Sequence, residues 1–194
     1  MMSRNAGKKA EEKIVKMLES SDSFTVRNSK KELVKIDIQP DMVYTPGHGT
    51  KCKFDVRVGD YRLQVKSSTG HSATIFSTTI ENLVKAGKRE MFDVQPFLSI
   101  WNVLTKVEAI KKVRLHELFE MSEIEDVVRY FLFEGTAKSQ EIPTLQANYL
   151  LYVNRNNEMI LCNKMEAMEF LFHKLYCEIK VKNGKPQLSL RVGR

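Results

Sequence analysis

The sequence predicts an α/β or mixed α+β fold, in which helices flank a central mixed β-sheet and a helix and a β-hairpin close the chain. Segments with helical periodicity alternate with runs of β-type residues, which is the pattern of mixed folds. At 194 residues and 42% hydrophobic composition, the chain is long enough to bury a substantial core. Because no internal repeat interrupts it, we expect a single domain over 1–194.

The N-terminal segment combines an amphipathic helix with short strands. Ala10, Ile14 and Leu18 recur at helical spacing and predict a helix over 4–20 whose apolar face docks on the rest of the protein. β-Branched and aromatic residues then predict two strands, and the prolines and glycines after them predict a loop. These three segments are 24–27, 33–38 and 39–50.

The most regular segment is a predicted β-hairpin over 53–67. Apolar and polar residues alternate on both sides of Gly59-Asp60, a pair that suits a two-residue turn. This register places Val56 opposite Leu63, with the apolar side chains on one face and the polar side chains on the other.

Shorter patterns predict the remaining elements. Ser122 and Glu125 indicate a capping box that opens a helix running to about Gly135. The other predictions are helices over 81–91, 107–121 and 163–176, a buried strand over 97–104, a polar loop over 136–144, and hairpins formed by 149–153 with 159–162 and by 179–182 with 188–192.

Composition narrows the classes of function. A formal net charge of +7 suits nucleic acid, anionic lipid or an acidic protein as partner. Apolar stretches such as 147–153 are shorter than the roughly 18 residues of a bilayer span, so no membrane span is predicted. Three cysteines without CxxC spacing argue against a zinc knuckle. Together with the lack of an apolar leader segment, they indicate reduced thiols in the cytoplasm.

The polar face of the hairpin brings three chemically suited residues together. Asp55 lies directly across from Gln64, and Lys66 follows two residues along the same strand. A carboxylate and an amide oxygen are hard ligands for Mg²⁺, and a nearby lysine can assist the attacking water or steady the phosphate. We therefore expect this face to cleave phosphodiesters.

The first helix offers a second acid for this site. On a helical wheel Glu11 lies about 20° from Leu18 and about 60° from Ile14, whereas Glu12 points to the lysine-rich side. If the helix packs beside the hairpin, Glu11 completes the metal site directly or through a water.

Basic residues mark candidate contacts to nucleic acid. Arg57 and Arg62 flank Asp55 and Gln64, where each suits either a phosphate contact or a salt bridge to Asp60. The C-terminal hairpin is a candidate phosphate-binding segment or an ordinary basic tail. Its three candidate residues are Lys180, Lys182 and Arg191.

The hairpin motif resembles the PD-(D/E)xK nuclease superfamily in its QxK variant. Asp55 is followed at the expected spacing by Gln64-Val65-Lys66, although Phe54 stands where that family has proline. A literal Pro40-Asp41 lies upstream in the predicted loop and is not assigned to the site. The tight hairpin is similar to that of some type II restriction enzymes.

The N-terminal helix adds a second resemblance. Gly7-Lys-Lys-Ala-Glu11 and Ser29 are similar to motifs of archaeal Holliday junction resolvases. The two resemblances together cover 4–68. They imply a restriction-endonuclease-like core, a supporting role for Glu11 beside the hairpin residues, and a nucleic-acid contact at Ser29.

The sequence and the resemblance lead to one expected function and two alternatives. We expect a Mg²⁺-dependent endonuclease that cuts double-stranded DNA at a specific sequence and acts as a homodimer. The alternatives are a resolvase-like enzyme acting on branched DNA and a non-catalytic DNA-binding protein, because Gln64 replaces an acid. Residues 1–105 would form the catalytic core, and 106–194 would supply recognition and dimerisation elements.

Overall fold

A computed structural model describes residues 5–39, 41–46, 52–68, 72–135 and 142–193, and it has the predicted mixed α+β fold. The chain divides into two compact units, and the single nuclease domain over 1–194 stays a prediction. Unit one comprises Met1–His71 and Leu132–Ala167, and unit two comprises Ser72–Phe131 and Met168–Arg194. No helix among the described residues is long and apolar enough to cross a membrane.

Unit one contains a helix and a seven-stranded mixed sheet. Its elements are α1 (Asn5–Glu19), β1 (Ser23–Asn28), β2 (Leu33–Asp37), β3 (Val43–Tyr44), β4 (Val56–Val58), β5 (Tyr61–Ser67), β8 (Tyr149–Val153) and β9 (Met159–Asn163). The strand order is β2-β1-β9-β8-β5-β4-β3. β5 pairs in parallel with β8 and β1 with β9, while the other neighbours are antiparallel.

The first helix covers the apolar face of this sheet. Ile14 and Leu18 are almost fully buried and belong to one hydrophobic cluster with Val56 and Val65. Burial of each such aliphatic side chain stabilises the fold by about 1.5–3 kcal/mol. Because strand side chains alternate, Gln64 lies on the opposite face of β5 from the residues that α1 covers.

Unit two is built on a four-stranded antiparallel sheet in the order β6-β11-β10-β7. Its strands are β6 (Ala73–Thr78), β7 (Lys112–Arg114), β10 (Leu175–Lys182) and β11 (Lys185–Val192). Its helices are α2 (Ile80–Glu90), α3 (Gln95–Lys106), the 3₁₀ turn Leu115–Glu117 and α4 (Met121–Arg129). The π-helical turn Tyr130–Glu134 and α5 (Lys164–Phe172) cross the borders between the units, and a 3₁₀ turn at Pro143–Leu145 belongs to unit one.

Two predicted elements are wrong. Residues 97–104 were predicted as a strand and lie in α3, where Pro96 is in the first turn of the helix and Phe97 and Ile100 bury one face. A short apolar run does not distinguish a buried strand from a buried helix. Residues 107–121 were predicted as a helix and instead hold β7 and a 3₁₀ turn, because β7 pairs with β10 and tertiary pairing outweighs local propensity.

Two helix boundaries also differ from the prediction. The capping box of α4 is formed by Glu120 and Glu123, not by Ser122 and Glu125, so the helix begins two residues earlier than predicted. At α5, Asn163 and Glu166 do cap each other through backbone amides, at 2.9 and 3.0 Å. That helix ends at Phe172, because β10 begins at Leu175.

The other predicted elements of the sheets are confirmed, including the hairpins around 154–157 and 183–184. The predicted loop 39–50 contains the short strand β3. Within the predicted loops, residues 40, 47–50 and 136–141 lie outside the described residues. The predicted division at residue 105 into a catalytic core and recognition elements stays a prediction. β8 and β9, which follow that residue, enter the sheet of unit one.

Candidate active site

The hairpin that carries the predicted site has the predicted register. Val56 faces Leu63, Arg57 faces Arg62, and the backbone of Gly59 has φ of +54°, which glycine adopts readily in a tight turn. Asp55 continues the hairpin, because its amide donates to the Leu63 carbonyl at 2.8 Å.

The Asp55 carboxylate lies where the β4–β5 ladder ends. The last pair of that ladder is Val56 and Leu63, so the Val65 amide lies beyond it. This amide donates to Asp55 Oδ2 at 2.7 Å, and Gln64 Nε2 donates to the same oxygen. The carboxylate therefore replaces a strand partner, and two fixed donors hold it in place.

Gln64 is almost completely buried, with 4% of its surface exposed. It lies on β5 between β4 and β8, directly beside Leu150. Its amide nitrogen donates to Asp55, so Oε1 is the amide atom that can face a cation or a polar ligand. The structure thus brings Asp55 and Gln64 into direct contact, as predicted from the register.

Lys66 and a second lysine, Lys53, complete the corner. Lys66 lies two residues beyond Gln64, and its charge acts on both Asp55 and Lys53. Sequence reasoning missed Lys53, although it precedes Asp55 by two residues in the same alternation. We call Lys53, Asp55, Gln64 and Lys66 the lysine–aspartate corner.

Lys53 is held by its own contacts. Its amide donates to the Leu145 carbonyl at 2.7 Å, and its methylene stem packs against Gly135. A Cβ atom at Gly135 would lie 2.9 Å from Lys53 Cδ, and the glycine has φ of +78°. Glycine is therefore needed there both for its conformation and for the close approach of the lysine.

The corner shifts the ionisation of two of its groups. Burial, followed by the charge of Lys66, lowers the pKa of Lys53 from 10.5 to about 8, against the opposing effect of Asp55. Burial raises the pKa of Asp55, although Lys66, the Val65 amide, Lys53 and Gln64 all oppose this. Groups with shifted pKa values cluster at functional sites, so the corner is a candidate active site.

The donor set at the corner fits Mg²⁺ only together with a phosphate. Among the described residues, no group of three or more His, Cys, Asp or Glu side chains is placed to hold a metal. Asp55 Oδ1 and Gln64 Oε1 are the oxygens that remain for a cation, and two lysines oppose it. Mg²⁺ is commonly held by one or two carboxylates plus substrate phosphates and water, and a phosphate would also balance the lysines.

The predicted role of Glu11 stays a prediction. Glu11 is half-buried on α1, one turn before Ile14, which matches its predicted position at the rim of the docking face. However, Glu11 belongs to a helix that covers the face of the sheet opposite Gln64.

The two arginines of the hairpin have partners within unit one. The Arg57 guanidinium carbon lies 5.2 Å from the centre of the Tyr44 ring, and Arg57 is exposed. Arg62 Nε donates to the Gln146 carbonyl at 2.8 Å, which ties the hairpin to the segment before β8. Arg57 therefore remains suited to a phosphate contact, whereas Arg62 has a structural contact already.

Ser29 is not next to the corner in the sheet. It lies in the turn between β1 and β2, where Asn28 Oδ1 accepts from the amides of Lys30 and Glu32. β1 and β5 are three strand positions apart, about 14 Å at the usual spacing. A nucleic-acid contact by Ser29 thus stays a prediction, at a distance from Asp55.

The remaining predicted basic residues belong to unit two. Arg191 is only 13% exposed at its side chain, and it binds Glu178 at 2.9 Å and the Ser72 carbonyl at 3.2 Å. Lys180 also contacts Glu178, at 3.1 Å, and Lys182 is exposed. Arg191 therefore has an internal role, and the two lysines are better placed for an external partner.

Comparison of the chain with protein-family models, with curated proteins and with solved structures finds no match. The functional assignment therefore depends on the chemistry of the site itself.

Proposed function

We propose that this protein is a metal-dependent DNA endonuclease that hydrolyses phosphodiester bonds. The observation that carries the proposal is the contact between Asp55 and Gln64 beside two lysines, at a point where a β-ladder ends. A fixed carboxylate and amide next to half-buried cations are suited to a phosphate and to the water that attacks it.

The chain's own residues would divide the work in the following way. Asp55, fixed by the Val65 amide, would use Oδ1 to orient the attacking water or the ion that binds this water. Lys66 stabilises the negative charge that develops on the phosphate, and Lys53 adds a second positive charge from a half-buried position. Asp55 and Gln64 would hold Mg²⁺ together with substrate phosphate, and the ion would supply an acidified water and neutralise phosphate charge.

This arrangement makes metal and DNA binding interdependent. With two lysines against one carboxylate, Mg²⁺ should bind weakly to the free protein and more tightly once a phosphate balances the charge. By linkage, Mg²⁺ would then raise DNA affinity by the same factor. Glu11 would strengthen the site as a second acid.

The substrate and assembly are part of the same proposal. We infer double-stranded DNA cut at a specific sequence by a homodimer, because a two-fold symmetric duplex site presents two equivalent phosphates. The side chains of Cys162 and Cys177 are both buried, which suits a protein of the reducing cytoplasm.

One observation favours a second candidate, a DNA-binding protein without activity. Gln64 donates its amide nitrogen to Asp55, so the two side chains satisfy each other without any metal. A site that is complete in this way binds a phosphate through its lysines and needs no catalysis.

Cleavage assays separate these candidates. Supercoiled plasmid with Mg²⁺ should give discrete linear fragments with the wild type, and Lys66→Ala should lose about 10²–10³-fold in rate. Lys35→Ala is the matched control, since Lys35 is an exposed lysine on the edge strand β2 that pairs with Asp37. Symmetric cutting of a synthetic four-way junction with intact duplex would identify a resolvase. Equal behaviour of wild type and Lys66→Ala on every DNA substrate would leave only the binding protein.

A further inference from the structure

The tip of the C-terminal hairpin in unit two is a two-stranded ribbon. β7 pairs with β10 only as far as Glu178, and β6 pairs with β11 only as far as Leu188. Beyond these positions, residues 180–187 have no strand partner among the described residues except each other. They surround a turn in which Asn183 and Gly184 have φ of +53° and +73°. At about 3.4 Å per residue, this ribbon extends roughly 10 Å beyond its neighbours.

One face of the ribbon and of the sheet behind it is strongly basic. The register places six cationic side chains and one acid on this face, since residues two apart on a strand share a side. The cations are Lys112, Arg114, Lys180, Lys182, Lys185 and Arg191, and the acid is Glu178. Sequence reasoning missed Lys112 and Arg114, because β7 lay inside a predicted helix.

Three acids partly neutralise this face. Glu178 is shared by Lys180 and Arg191, Glu117 lies 3.8 Å from Arg114, and Glu81 of α2 is within electrostatic reach of Lys185. Six cations against three acids leave positive charge in excess on this face.

The tip itself holds an unfavourable pair. Lys182 lies directly opposite Lys185 across the ribbon, and like charges at such positions destabilise a hairpin. The reverse face carries Val181, which is 73% exposed, opposite the exposed Pro186. A lysine pair on one side and an apolar pair on the other are better explained by a partner than by solvation alone.

We propose that this ribbon enters a groove of double-stranded DNA. The major groove is about 12 Å wide and admits a two-stranded ribbon. Lys182 and Lys185 would then contact phosphates on the groove walls, with Lys112 and Arg114 continuing the contact along the sheet. This inference rests on the proposed function only in taking DNA as the partner, and it requires no catalysis.

The test compares two double variants with the same change in charge. K182Q/K185Q removes the tip lysines, and K85Q/K88Q removes two exposed lysines of α2. Binding of each full-length variant to a labelled 30-base-pair duplex is measured without Mg²⁺ between about 50 and 200 mM salt. Two lost phosphate contacts should reduce the salt slope by about 2, and affinity at the low-salt end by about tenfold more than in the control.

The outcomes distinguish this inference from the proposed nuclease. If DNA binding depends on the tip lysines and neither the wild type nor the variants cleave DNA, groove binding by the ribbon is supported and the nuclease proposal is contradicted. If DNA is cleaved and the two double variants bind it equally well, groove binding by the ribbon is contradicted while the nuclease proposal is retained. Stronger, tip-dependent binding to vesicles of one third phosphatidylserine than to duplex would overturn DNA as the partner.

Discussion

The candidate functional lysines of the two units differ in their surroundings. At the lysine–aspartate corner of unit one, Lys53 is half-buried and its pKa falls to about 8, beside a carboxylate whose pKa is raised. On the ribbon of unit two, Lys180, Lys182 and Lys185 are exposed. Burial makes a charge responsive to its neighbours and suited to chemistry, whereas an exposed charge acts mainly by attracting an anion and is screened by salt.

The largest expected effect tests whether the lysine–aspartate corner is an active site. Asp55→Asn should lower the single-turnover rate of plasmid cleavage by about 10³-fold, because the charge is lost while the amide oxygen still accepts from Val65. DNA affinity measured without Mg²⁺ should change little. Asp37→Asn, at an exposed carboxylate on β2, is the control. A rate within threefold of the wild type would remove Asp55 from the active site.

The next effect concerns the buried lysine. Lys53→Met keeps the stem that packs on Gly135 but removes a buried charge, so it should stabilise the protein by about 1–3 kcal/mol at pH 7. The same variant should lose about tenfold in cleavage rate. Urea unfolding and plasmid cleavage measure the two changes. Gain of stability with unchanged cleavage would show that Lys53 has no part in the function.

The pH dependence of Lys53 gives this test a second readout. Its folded pKa lies below its unfolded value, so between about pH 8 and 10.5 the native state binds fewer protons than the unfolded state. Below pH 8, Lys53 is charged in both states, and the full cost of burying its charge lowers the stability. As the pH rises through this window that cost decreases, so the free energy of unfolding of the wild type increases. Lys53→Met should lack that gain, while Lys35→Met, at an exposed site, should retain it.

The smallest effect tests the basic face of unit two. Arg191→Ala removes the contacts to Glu178 and to the Ser72 carbonyl, which should destabilise the protein by about 1–2 kcal/mol. Its effect on the salt slope of DNA binding should be less than half that of K182Q/K185Q. A larger loss of DNA affinity than in the tip variant would move the binding surface from the ribbon tip to the sheet.

Local patterns predicted the hairpin and the positions of its residues correctly. The Gly59-Asp60 turn determined the register, so the positions of Asp55 and Gln64 follow from the order of residues around that turn. The same reasoning failed at 97–104 and 107–121, where neither periodicity nor capping separates the alternatives. Lys112 and Arg114 were missed as a consequence, since their face depends on pairing with β10.

The sequence by itself determined the mixed fold, the hairpin register and the set of polar residues that share one face, because turn chemistry and alternation act over a few residues. Only the tertiary structure decided which of those residues have shifted pKa values. Gly135 approaches Lys53, and Leu150 adjoins Gln64, from segments more than 80 residues away. Burial depends on such distant contacts, so the shifted ionisation of the corner and the exposure of the ribbon follow from packing alone.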